Sequence, residues 1–134
     1  MNNLLSIDYG ERYMGFAVRT IKTQIPIPIE VVDIKKDNIG NKISIYVDSY
    51  DINKFIIGYP LGMNLSENRM TKNVDNFIKE ELMKYNLPIS KIDERFTSEL
   101  IKNTKNDRVD DLSALEILET YITVSYTHLT LPTK

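Results

Sequence analysis

Short apolar runs and two different periodicities divide this chain into elements before any chemistry is considered. Leu4 to Asp8 and Tyr13 to Val18 read as two strands joined through a glycine turn at Gly10, a hairpin by pattern. Gln24 to Ile34, QIPIPIEVVDI, alternates apolar residues at Ile25, Ile27 and Ile29. Pro26 and Pro28 cannot donate ladder hydrogen bonds, so that end is an edge or the lead-in to a third strand. Ile39, Ile43, Tyr46, Val47 and Tyr50 recur at helical spacing, with Gly40 weakening the start. Lys54 to Gly58, KFIIG, is a continuous apolar strand of the kind buried on both faces, and Tyr59-Pro60 ends it. A long amphipathic helix begins near Ser66 and carries Met70, Val74, Phe77, Ile78, Leu82 and Tyr85, with Glu67 in its first turn. Pro88 to Glu94 reads as another strand, and Thr97 as the N-cap of a short helix through Leu100 and Ile101. Val109, Leu112, Leu115, Leu118 and Ile122 mark the last helix.

Three strands in succession suit an antiparallel meander, and strands separated by helices suit parallel additions to the same sheet. The expected class is α/β: a mixed five-stranded sheet, three antiparallel strands then two parallel ones, covered by helices. Helical periodicity stops at Ile122. Residues 124–134, VSYTHLTLPTK, are threonine-rich, and VSYTHL resembles the reading-frame translation of a transposase-adapter sequence. The expectation is one domain over residues 1–123 and a non-native or disordered tail over 124–134, with no role for His128.

Composition narrows the chemistry. At 134 residues the chain can bury roughly two-thirds of its unfolded surface. With 42% apolar and 27% charged residues it reads as globular rather than disordered. Cysteine is absent, which excludes disulfides, thiolate catalysis and thiolate zinc sites. A single histidine, in the odd tail, argues against a histidine-based catalyst. No apolar run approaches the roughly 20 residues of a membrane helix, and the N-terminus lacks a signal-peptide pattern, so a cytoplasmic protein without a membrane partner is expected. The net charge of −2 neither demands nor forbids a nucleic-acid partner.

The informative residues are acids at the ends of elements. Asp8 ends the first strand beside a glycine turn, and neither of its sequence neighbours is basic. In IDERF, Asp93 and Glu94 point to opposite faces of a strand, so only one can share Asp8's site. Asp110 and Asp111 open the last helix, where carboxylates also suit the helix dipole. Taken pair by pair, these residues read equally as helix-start and solvated acids. As a set they read as converging carboxylates, which repel unless a divalent cation lies between them, and hard oxygen ligands suit Mg²⁺ or Mn²⁺.

Four blocks in order carry a resemblance: IDYGERYMGFAV, IIGYPLGMNLSE, DERFTS and VDDLSALEILETYI. Together they resemble the YqgF family of pre-16S rRNA nucleases, also described as Holliday-junction-resolvase-like, over Leu4 to about Ile122. The resemblance implies an RNase H-like fold and an acidic triad that falls on Asp8, Glu94 and Asp110. The aliphatic run at Ile117 and Leu118 fixes the register, so Asp110 is favoured over Asp111. Arg12, Arg95 and the loop from Gly58 through Pro60 to Glu67 would flank the site, with Lys102, Lys105 and Arg108 as further phosphate contacts. Two departures stand out: the basic stretch before the last helix is reduced to IKNTKNDR, and Arg19-Thr20 replaces an acid after the second strand.

By this resemblance the chain is a metal-dependent nuclease, with Mg²⁺ or Mn²⁺ held by Asp8, Glu94 and Asp110. Its expected substrate is precursor 16S rRNA, cut near its 5′ end during ribosome maturation, on a pre-30S particle. Two alternatives stay open: a catalytically silent RNA-binding assembly factor on the same fold, and a resolvase acting on branched DNA. An ATP-binding actin-like domain, whose first phosphate loop DYGERYMG also resembles, needs a second half for which 134 residues leave no space.

Overall fold

The computed structural model describes residues 2–59, 69–93 and 114–123. Strands β1 (Leu4–Asp8), β2 (Tyr13–Arg19) and β3 (Ile27–Asp33) are followed by helix α1 (Ile39–Tyr50), strand β4 (Lys54–Tyr59), helix α2 (Arg69–Phe77) and strand β5 (Ile89–Asp93). Residues 114–123 form helix α3. One sheet runs in the order β3-β2-β1-β4-β5. β1 pairs antiparallel with β2 and β2 with β3, while β4 lies parallel to β1 and β5 parallel to β4. This is the mixed sheet the sequence predicts. β3 is an edge, which is where Pro28 can be accommodated: it lies opposite Ala17, next to a register irregularity between Phe16 and Ala17.

Because β1 and β4 are central, both of their faces are covered. Leu5, Ile7, Phe16, Phe55 and Ile57 pack beneath α1 and α2 together with Ile43, Tyr46, Val74, Phe77 and Leu82. Leu4, Ala17 and Ile56 face the other way and pack under α3 through Ala114, Ile117 and Leu118. The buried stripe of α3 thus runs through 114, 117 and 118, one step round the helix from the 115 and 122 positions that the sequence pattern picks out; Leu115 and Ile122 are only partly buried.

Local signals explain the helix ends. The Asn38 side chain accepts a hydrogen bond from the Asn41 amide at 2.9 Å and starts α1. Asp51 ends it in the left-handed region, at φ 54°, with its N–H donated to Val47. After α2 the chain makes one π-helical turn over Ile78–Leu82 and a 3-10 turn over Met83–Tyr85. Ile78 and Leu82 are both buried in the π-helical turn. The described part of this helix starts at Arg69, so its expected start near Ser66 lies outside the described residues, as do the short helix after Thr97, the beginning of the last helix and the tail.

Candidate nucleic-acid site at the carboxyl end of the sheet

β1, β4 and β5 run parallel, so Asp8, Tyr59 and Asp93 end their strands at the same edge of the sheet. In open α/β sheets this carboxyl edge is where ligands bind. Strand alternation fixes which way Asp8 faces. Leu5 and Ile7 lie under α1 and α2, so Leu4, Ser6 and Asp8 take the α3 side. Two residues before Asp8, the buried Ser6 hydroxyl donates to the Ala114 carbonyl at 2.6 Å. That bond ties the first described turn of α3 to the strand face that bears Asp8.

The register also sets what lies beside Asp8. On β2 its partner is Gly15. On β4, Ile7 pairs with Ile57, so the next position at Asp8's level is Gly58. Asp8 is half-buried and stands between two buried glycines, with no side chain on either neighbouring strand at its level. The next residue out on Asp8's face is Ile92 of β5, which pairs with Gly58. With glycine at its level on both flanking strands, Asp8 has no side chain of β2 or β4 beside it. Ser6 is the contributor that the sequence pattern does not single out; Gly15, which reads from sequence with Gly10 as part of the tight return after Asp8, lies instead within β2, opposite Asp8.

The turn is fixed in turn by Gly10. A Cβ there would overlap the Tyr13 carbonyl oxygen, so the return is closed to larger residues. Asn73 of α2 donates to the Glu11 carboxylate at 2.9 Å and holds the turn from the other side. Tyr9 packs against Phe77 on the α2 side, and burial, helped by the Glu11 and Glu80 charges, pushes its phenol pKa up. It stays protonated and serves packing. Arg12 reaches outward to β3, donating from Nε and Nη2 to the two Asp33 carboxylate oxygens at 3.1 Å each. The guanidinium holds the Asp33 carboxyl below the usual carboxylate range.

Of the residues named from sequence, Asp8, Gly58 and Arg12 are described. Glu94, Asp110, Arg95, Lys102, Lys105, Arg108 and Pro60 lie outside the described residues. Among the described residues no three His, Asp or Glu side chains come together, and no helix is long and apolar enough to cross a membrane.

A family model described as RuvX, Holliday junction resolvase, matches residues 2–124. The chain belongs to the RuvX family. Relatives in Bacteroides thetaiotaomicron and Sulfurihydrogenibium sp., each carrying the name "Putative pre-16S rRNA nuclease", are 33% and 31% identical to it. Both alignments cover 91% of this chain, with 96% and 90% of the relatives. RuvC of T. thermophilus, solved in complex with a Holliday junction substrate, superposes with a TM-score of 0.64 at 12% identity, covering 93% of this chain and 96% of RuvC. Fowlpox virus resolvase, solved with Holliday junction DNA, gives 0.51 at 15%, covering 97% and 99%. At such identities these two neighbours establish the fold, and this RuvX family member has the RNase H-like fold of the resolvases.

Proposed function

We propose that this RuvX family protein is a metal-dependent nuclease that hydrolyses phosphodiester bonds in structured nucleic acid, with precursor 16S rRNA as its substrate. The observation that carries the reading is the position of Asp8: half-buried, at the carboxyl edge of three parallel strands, between Gly15 and Gly58. Hard carboxylate oxygen suits Mg²⁺ or Mn²⁺. Glu94 and Asp110 are proposed as the other ligands. Glu94 lies two residues beyond Ile92, which faces Asp8's side, and the two-residue period of a strand favours it over Asp93. Asp110 precedes by four residues the Ala114 that Ser6 ties to β1, a helical turn's worth of sequence. Arg95, Lys102, Lys105 and Arg108 are the proposed phosphate contacts, Arg12 flanks the same face, and Pro60 follows β4 in the loop beside the site.

Bound at these carboxylates, Mg²⁺ or Mn²⁺ supplies water of lowered pKa and charge neutralisation at the phosphate. The chain's own contribution is placement: β1 fixes Asp8, and the turn held by Gly10 and Asn73 keeps the strand end in one position. Water adds to phosphorus, the bond to the leaving oxygen breaks, and that oxygen takes up a proton. The relatives' names support the pre-16S rRNA substrate, and a cytoplasmic location on a maturing small ribosomal subunit belongs to the same reading. The family description and the fold favour a second reading, cleavage of branched DNA. Incubation with precursor 16S rRNA and with a four-way DNA junction, each with Mn²⁺ and with chelator, separates the two. Cleavage of neither substrate with metal present would leave the silent assembly factor as the better description.

A further inference from the structure

On Asp8's face of the sheet, two residues along β2 from Gly15, stands Tyr13. It is a large aromatic side chain left 47% exposed at the start of β2. The Arg12 guanidinium lies 5.2 Å from its ring centroid, and Arg12 is itself clamped by two hydrogen bonds to Asp33, the residue opposite Tyr13 on β3. Three things follow. The guanidinium, held by Asp33, packs over one side of the ring and restrains it, which lowers the ordering cost of stacking on Tyr13. The charge of Arg12 is offset by Asp33, so the pair offers stacking surface rather than a phosphate clamp. Gly15 lies between Tyr13 and Asp8, so no side chain of β2 separates the pair from the carboxylate on this face.

We propose that Tyr13, with Arg12 against it, is a stacking platform for an unpaired nucleobase of the nucleic acid bound at Asp8. Two residues of strand and one strand spacing put the Tyr13 and Asp8 backbones about 8 Å apart. A base on Tyr13 therefore belongs to a nucleotide immediately neighbouring the phosphate at Asp8. Stacking on an aromatic is tolerant of base identity, so the platform selects for an unpaired base near the cut and not for a sequence. This extends the reading of Asp8's face as a nucleic-acid site and depends on it.

The test is binding in chelator, where no cleavage confounds it. A labelled single-stranded oligonucleotide of about ten nucleotides, a suitable length for one such site, is titrated against wild type, Tyr13→Ala, Tyr13→Phe and Tyr13→Trp. Tyr13→Ala is expected to weaken binding roughly 5- to 100-fold, with the slope against log salt unchanged because no phosphate contact is lost. Tyr13→Phe keeps wild-type affinity. The chain contains no tryptophan, so Tyr13→Trp adds a lone reporter whose fluorescence is quenched by the oligonucleotide and not by an abasic strand of equal length. Wild type and Tyr13→Ala binding equally well overturns the platform while leaving the nuclease reading intact. Wild type failing to bind any nucleic acid overturns both.

Discussion

On the α1–α2 side of the sheet, the three central strands present Leu5 and Ile7, Met14, Phe16 and Val18, and Phe55 and Ile57, all apolar and almost all of them large. On the α3 side the same strands present Leu4, Ser6 and Asp8, Tyr13, Gly15, Ala17 and Arg19, and Lys54, Ile56 and Gly58. The first face is filled from end to end. The second is mixed: Leu4, Ala17 and Ile56 meet Ile117 and Leu118, Arg19 and Lys54 flank Leu4, and the carboxyl end carries Asp8 between Gly15 and Gly58 with Tyr13 beyond. A strand buried on both faces can therefore give stability with one set of alternate residues and a site with the other. The two tasks are separable by mutation, and the separation can be tested.

The largest effect belongs to the filled face. Phe16 is fully buried and packs against Tyr46 in a tilted arrangement, ring centroids 4.9 Å apart. Phe16→Ala should lower unfolding free energy by about 3–5 kcal/mol, read from urea denaturation. A loss well below that range would mean that this face is not where stability lies.

Next comes the carboxyl end of the mixed face. Gly15→Val places a branched side chain beside Asp8. It should cut cleavage roughly tenfold to a hundredfold by displacing the bound phosphate, with urea denaturation of the same variant reading its stability. A variant that unfolds in step with its loss of activity would erase the distinction between the faces.

Ser6→Ala is smaller. It leaves the buried Ala114 carbonyl without its side-chain donor, at a cost of about 1–3 kcal/mol. Denaturation measures the loss, and amide exchange in α3 should rise more than in α1. Equal exchange in both helices would show that Ser6 does not anchor α3.

The smallest effect is one of pH. Burial raises the Tyr46 phenol well above its usual range, and its hydrogen bond to Glu30 adds to the shift. A group with a raised folded pKa stabilises fully below its unfolded pKa, and the contribution is lost as pH rises above it. Stability should decline from about pH 10 upward, and Tyr46→Phe should flatten that decline. An unchanged alkaline limb in Tyr46→Phe would assign the decline to other groups.

How far the sequence led depends on the range of the signal. Leu4–Asp8, Lys54–Tyr59 and Ile89–Asp93 are legible because apolar runs bounded by Gly, Pro and polar residues are local patterns, and the two prolines read β3 as an edge. The π turn at Ile78–Leu82 is not legible, because 3.6-residue periodicity assigns the same apolar positions to a regular helix. Asp8 stands out locally as an acid at a strand end. Its surroundings do not: Gly15 and Gly58 reach it through pairing register, and Ser6 reaches Ala114 across 108 residues. Arg12 reads from sequence as a phosphate contact, and its commitment to Asp33 shows only when β2 and β3 are side by side.

The most direct measurement is metal-dependent cleavage by Asp8→Asn. The substitution removes a charge while keeping shape, and urea denaturation of the variant checks that it folds with wild-type cooperativity. Cleavage of precursor 16S rRNA in Mn²⁺ should then fall by about a hundredfold or more. A folded Asp8→Asn variant that cleaves at the wild-type rate would contradict the assignment of the site.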